Sequence, residues 1–204
     1  MYFLFNYFSW NYIDNYGQIN MVSKIPLSLT YLRILIIPFF IFTFFIKSDF
    51  GRWMTCGLFV FACLTDYLDG KLARSLNQES KLGALLDPIA DKIIVAVAIM
   101  LLIHDETIKD LTLFAALIII SREILVSGLR EFLASLSISL PVSSLSKAKT
   151  FIQMFALSVL LSGEPGNDFL LGYGRDIGLS SLWIAAVITV YTGYIYLVKG
   201  LKHV

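Results

Sequence analysis

The sequence predicts an all-α fold: a polytopic membrane bundle of about six transmembrane helices, with a cytoplasm-side surface helix near the N-terminus. Three observations predict it. The 204 residues are 57% hydrophobic and only 15% charged, with a mean hydropathy of +0.77, a balance foreign to soluble domains. Long apolar runs alternate with short polar stretches along the whole chain. Basic residues gather on one side when the runs are threaded alternately across a bilayer. A net charge of +1 argues against a nucleic-acid partner, and the length suits one domain, placed at residues 21–204.

Residues 1–20 carry eight aromatics and no Lys or Arg. They lack the positive start and small-residue cleavage site of a signal peptide, and they are too polar to span. Two readings stand: a segment lying in the interface, where Tyr and Trp are favoured, or an extension ahead of a start at Met21. Ser23–Arg33, with Pro26 early and Ile25, Leu29 and Leu32 apolar, reads as the surface helix. Leu32–Ile46 is the first span, flanked by Arg33 and Lys47 and kinked at Pro38. Trp53–Tyr67 is the second span, with a helical continuation through Arg74, and residues 75–82 form a polar turn. Gly83–Ile103 is the third, tolerating Pro88 near its start. His104–Asp110 is a polar loop. The last three spans are Leu111–Leu136, Leu145–Leu161 and Leu179–Val198, with a Gly- and Asp-rich loop at Ser162–Asp176.

With the N-terminus inside, eleven basic residues fall on the inner side and four (Lys47, Arg52, Lys109 and Arg175) on the outer. Both termini are therefore expected in the cytoplasm. Cys56 and Cys63 lie seven residues apart, about 10.5 Å of helical rise, too far for a disulfide.

The chemistry concentrates in Asp66–Lys92. On a helix, Asp66, Asp69, Gly70, Ala73 and Arg74 fall at i, i+3, i+4, i+7 and i+8 and share a face. Gly83, Asp87 and Asp91 do the same on the next helix. If the helices are antiparallel neighbours, the faces meet. Four carboxylates there repel one another unless cations sit between them, and an oxygen-rich cluster suits Mg²⁺ or Mn²⁺. A merely capping role for these aspartates fits poorly, because unpaired carboxylates among apolar flanks are expensive.

This spacing, D-x2-D-G-x2-A-R-x8-G-x3-D-x3-D from Asp66 to Asp91, resembles the signature of the CDP-alcohol phosphotransferases, integral membrane enzymes of phospholipid synthesis. Every fixed position is met. The resemblance implies that Asp66, Asp69 and Asp87 are metal ligands, and that Asp91 is the general base and a further ligand. It implies that Gly70, Ala73, Arg74 and Gly83 surround the cytidine diphosphate, with Arg74 donating to a phosphate or the base edge. Two divalent ions about 4 Å apart would clamp the attacking and leaving oxygens.

The stretches KIPLSLTYLRILIIPFF, SREILVSGLREFLA and SKAKTFIQMFAL resemble the branch of that family that joins CDP-diacylglycerol to glycerol 3-phosphate. The likeness runs from about Lys24 to about Leu160, fades in the last loop and span, and is absent over residues 1–20. Lys24 stands where many members carry Asn. Relatives are typically homodimers, so a dimer embedded in membrane lipids is expected. Arg122, Arg130, Lys147 and Lys149 are the candidate site for the acceptor's phosphate, with interfacial snorkelling as the alternative use of the two lysines. Other acceptors, serine or inositol phosphate, would leave the aspartate motif unchanged. A divalent-cation transporter would also place carboxylates among spans, but it calls for acidic groups on both sides of the path, and here they lie at one face.

Overall fold

The computed structural model describes the backbone of residues 24–76, 81–136, 138 and 143–201, and the side chains of these except 24–30, 67–76, 81–85, 87 and 201. The aromatic segment 1–20 lies outside the described residues. Among them the fold is all-helical. The seven helices are α1 (Lys24–Phe44), α2 (Asp49–Leu76), α3 (Lys81–His104), α4 (Leu111–Ser135), α5 (Ser144–Leu161), α6 (Gly163–Phe169) and α7 (Gly174–Leu201).

The sequence periodicity places most of these well, with two differences. Lys24–Phe44 is one continuous helix, where a surface helix and a separate span were expected. Pro26 falls in its first turn, where a missing N–H is harmless, and no glycine interrupts the remaining turns. The Gly- and Asp-rich stretch after α5 is not all loop. It folds into the seven-residue α6, with Glu164 in the first turn, where a carboxylate complements the helix dipole. At the start of α2, the Ser48 hydroxyl accepts from the Gly51 amide at 3.1 Å, satisfying one free N–H.

Two helices, Leu111–Ser135 and Gly174–Gly200, are long and apolar enough to cross a membrane. Tyr31–Phe44 is a shorter apolar stretch. The core joins α1, α2, α3, α4, α5 and α7 around Phe40, Phe59, Ile99, Ile119, Leu157 and Leu182, all fully enclosed. Phe40 and Phe59 meet at 6.0 Å between ring centroids. Ala62, Ala98, Ala115, Ala116, Ala156 and Ala185 are fully buried too, so backbones approach closely without large side chains between them. The outward faces are strongly apolar instead of polar: Leu35, Phe39, Phe42, Phe114, Phe151 and Val187 are exposed. In water such a surface would aggregate; against lipid it is the favourable one.

α2 and α3 run antiparallel. Arg52 near the start of α2 pairs with Asp105, just past the end of α3, at 2.9 Å. The two helices are in contact, with Asp66 late in one and Asp91 early in the other. Cys56 and Cys63 are free thiols; Cys56 donates to the Ser158 carbonyl at 3.2 Å.

Candidate active site

α2 carries Asp66, Asp69, Gly70, Ala73 and Arg74, and α3 carries Gly83, Asp87 and Asp91. Of these, the side chains of Asp66 and Asp91 are described; those of Asp69, Gly70, Ala73, Arg74, Gly83 and Asp87 lie outside the described residues. Among the described residues no three His, Cys, Asp or Glu side chains converge as a metal site, which leaves the two-carboxylate pair Asp66 and Asp91 as the visible part of the cluster. These two fit a hard divalent cation: both are oxygen donors, both remain partly accessible, and they stand on neighbouring helices.

Asp66 has a partner that the sequence did not reveal. Arg33, on α1, places Nη1 2.9 Å from Asp66 Oδ1, and the Arg33 side chain is only 1% exposed. In the sequence Arg33 reads as a basic flank of the first span. Instead it is a buried cation spent on a carboxylate of the motif.

Asp91 lines a cavity of about 340 Å³ between α3, α4 and α5, within the roughly 300–1,000 Å³ range of small-molecule sites. Its walls are mostly apolar, with Lys92, Glu123, Ser127, Glu131, Lys149, Thr150 and Gln153 as polar members beside Asp91. Lys149 is buried at 3% exposure and is held by Glu123 through a close Nζ–Oε1 ion pair. A buried lysine without such a partner would lose its charge. Gln153, one turn further along α5, is 2% exposed, and its Oε1 has no hydrogen-bond partner. An amide oxygen left so costs about 1–3 kcal/mol. Lys92 donates to the Pro88 carbonyl at 2.7 Å.

Of the four candidate phosphate-binding bases, Lys149 and Arg122 meet at one oxygen, Glu123 Oε1. Lys149 lines the cavity. Arg122 lies 3.7 Å from that Oε1, donates to Thr192 Oγ1 at 3.0 Å and lies over the Tyr196 ring at 5.7 Å. Gly193 makes room for it: a Cβ there would stand 3.0 Å from Arg122 Cγ. Tyr196 in turn accepts from the Ser143 amide and the Ser146 hydroxyl, both at 3.4 Å, fastening α7 to the start of α5. Arg130 and Lys147 are exposed. Glu123 is thus the junction between an inner base, Lys149, and an outer one, Arg122. In the sequence Glu123 adjoins Arg122, and its reach to Lys149 on α5 is a tertiary contact that no single-helix pattern records. The spacing of Lys149 and Gln153 by four residues was the available signal for a shared face, and it went unused for Gln153.

Comparison with known proteins agrees with this arrangement. Residues 23–191 match the CDP-alcohol phosphatidyltransferase family. The chain is similar to the CDP-diacylglycerol–glycerol-3-phosphate 3-phosphatidyltransferase of Rickettsia bellii (strain RML369-C), with 46% identity over 174 residues, covering 85% of this chain and 93% of that protein. The protein of the same name from Rickettsia felis (strain ATCC VR-1525 / URRWXCal2) is 44% identical, again over 85% of this chain and 93% of its own length. That from Pseudomonas fluorescens is 42% identical over 185 residues, covering 88% and 91%. The aspartate-bearing helix pair lies wholly inside the matched region, and with it the cavity that Asp91 shares with Lys149, so the chain belongs to the CDP-alcohol phosphatidyltransferase family.

Proposed function

We propose that this chain is a phosphatidyltransferase that moves the phosphatidyl group of CDP-diacylglycerol to glycerol 3-phosphate, giving phosphatidylglycerophosphate and CMP in phosphatidylglycerol biosynthesis. The relatives' name carries both substrates. The structural observation that supports it most is one cavity lined by a carboxylate, Asp91, and a buried cation, Lys149: a base for a hydroxyl next to a charge for a phosphate.

Asp91 takes the proton of the attacking hydroxyl. The hydroxyl oxygen forms its bond to the lipid-bearing phosphorus, the pyrophosphate P–O bond breaks, and CMP leaves with the bond's electron pair. Lys149 holds the acceptor's phosphate, sharing its ammonium with Glu123. Arg122, Arg130 and Lys147 supply positive field around that contact. Asp66, Asp69, Asp87 and Asp91 would hold the divalent cations, Mg²⁺ or Mn²⁺ and two per site, which supply charge neutralisation to the pyrophosphate when bound. Gly70, Ala73, Arg74 and Gly83 line the CDP portion.

The enzyme works as residues 21–204, a multi-pass bundle of about six spans in the cell membrane, with the first turns of α1 on the cytoplasmic surface, the aspartates facing the cytoplasm, and two copies per assembly. The exposed apolar faces of the helices support the membrane setting. The test is purified protein with CDP-diacylglycerol and a panel of acceptors (glycerol 3-phosphate, serine and inositol phosphate), products resolved by mass. Phosphatidylglycerophosphate and stoichiometric CMP are expected with glycerol 3-phosphate alone; a product with another acceptor overturns the assignment.

A further inference from the structure

Lys149 and Gln153 are separated by one helical turn on α5, and both line the cavity that Asp91 borders. Lys149 already has Glu123. Gln153 differs: its amide oxygen is shut off from solvent and unpaired. Buried polar groups in native proteins are nearly always satisfied, so an unpaired one beside a cavity points to a ligand that completes it. The missing partner must be a donor. The last torsion of a glutamine is broad and roughly two-fold, so turning the amide toward the cavity is cheap.

We propose that Gln153 is the residue that selects the acceptor by accepting a hydrogen bond from the hydroxyl adjacent to the one that attacks. This rests on the reading above and deepens it. With its phosphate at Lys149 and its terminal hydroxyl at Asp91, glycerol 3-phosphate lays its middle hydroxyl between them, alongside the α5 face that Gln153 occupies. Ser127 and Thr150, the cavity's hydroxyl-bearing side chains, are not shut away unpaired as the Gln153 oxygen is. A pocket built to pair a substrate hydroxyl rejects the analogue lacking it far more strongly than an apolar pocket rejects a change of size.

The test compares two acceptors with saturating CDP-diacylglycerol: glycerol 3-phosphate, and 3-hydroxypropyl phosphate, which keeps the phosphate and the terminal hydroxyl but lacks the middle one. Wild type should favour glycerol 3-phosphate in kcat/KM by about a hundredfold or more. In Gln153→Met, similar in shape but without the amide, the preference should fall below about tenfold. The loss should come from glycerol 3-phosphate, with the analogue's kcat/KM and the KM for CDP-diacylglycerol within about threefold of wild type. A merely structural role would lower both acceptors by one factor and keep their ratio, and that result overturns the proposal. So does a wild type that uses the two acceptors equally well, a result independent of how any variant folds. A wild type that turns over neither acceptor sinks the function itself.

Discussion

Arg33 Nη1 on α1 lies 2.9 Å from Asp66 Oδ1 on α2, an ion pair with one end buried and the other 42% exposed. The two ends are not equivalent. Without Arg33, Asp66 still has water; without Asp66, a buried guanidinium loses a carboxylate. Asp66→Ala and Arg33→Met should each lower stability by about 1–3 kcal/mol, because each takes a charged partner from the other end of the pair. Thermal melting of the two variants in the same detergent checks this, and an unchanged melting temperature in both contradicts it.

Asp91→Asn should abolish turnover while leaving CDP-lipid binding largely intact. A base acts in the transition state, so its loss falls on kcat and not on ground-state binding. Single-turnover rates beside equilibrium binding of CDP-diacylglycerol separate the two. A near-normal kcat removes Asp91 from that role.

Asp66→Ala and Asp69→Ala should shift the metal requirement as well as the rate. Losing a ligand raises the Mg²⁺ or Mn²⁺ concentration needed for half-maximal activity, with partial rescue at excess metal, and chelator should silence the wild type. An unchanged titration curve in either variant excludes that residue from the ligand set.

Three of the bases should separate by position. Lys149→Met removes a charge-assisted hydrogen bond worth roughly 1.5–3 kcal/mol, so the KM for glycerol 3-phosphate should rise about tenfold or more. Lys147→Met and Arg130→Met, both at exposed positions, should raise it less, through screened field alone. Raising salt should shrink their effects and leave that of Lys149→Met. A flat KM across the set makes these bases membrane anchors.

Removing residues 1–20 should leave insertion and activity intact. The family match begins at residue 23, and the aspartate motif, Asp66 to Asp91, lies outside that stretch. Loss of activity in an inserted, well-expressed truncation makes the aromatic segment part of the enzyme.

The aspartate motif was legible because its logic is local. Spacings of three and four residues place Asp66 and Asp69 on one face, and Asp87 and Asp91 on another, before any tertiary contact exists. The antiparallel pairing of the two faces then needed only a short connection. The bases were harder. Arg33 and Lys147 look alike in sequence, each a cation at the edge of an apolar run, yet one is buried against Asp66 and the other is exposed. What distinguishes them is which helix packs alongside, and no single-helix pattern records that. α6 was missed for a related reason. Gly163, Gly166 and Asp168 have loop propensities, and packing against α2, α5 and α7 overrides them.

The end of α2 away from Asp66 is tied down through a single side chain. There Arg52 holds Asp105, lies 4.5 Å from the Phe44 ring centroid, and is pressed against Gly163, where a Cβ would meet Arg52 Cδ at 3.1 Å. One guanidinium thereby fastens α1, α2, α6 and the turn after α3 together. From Arg52 to Asp66 the helix rises about 21 Å. Along that rise Phe59, Ala62 and Thr65 bury α2 in the core, and Arg33 takes hold of Asp66 itself, so the carboxylate is positioned from both ends of the helix and from its buried face.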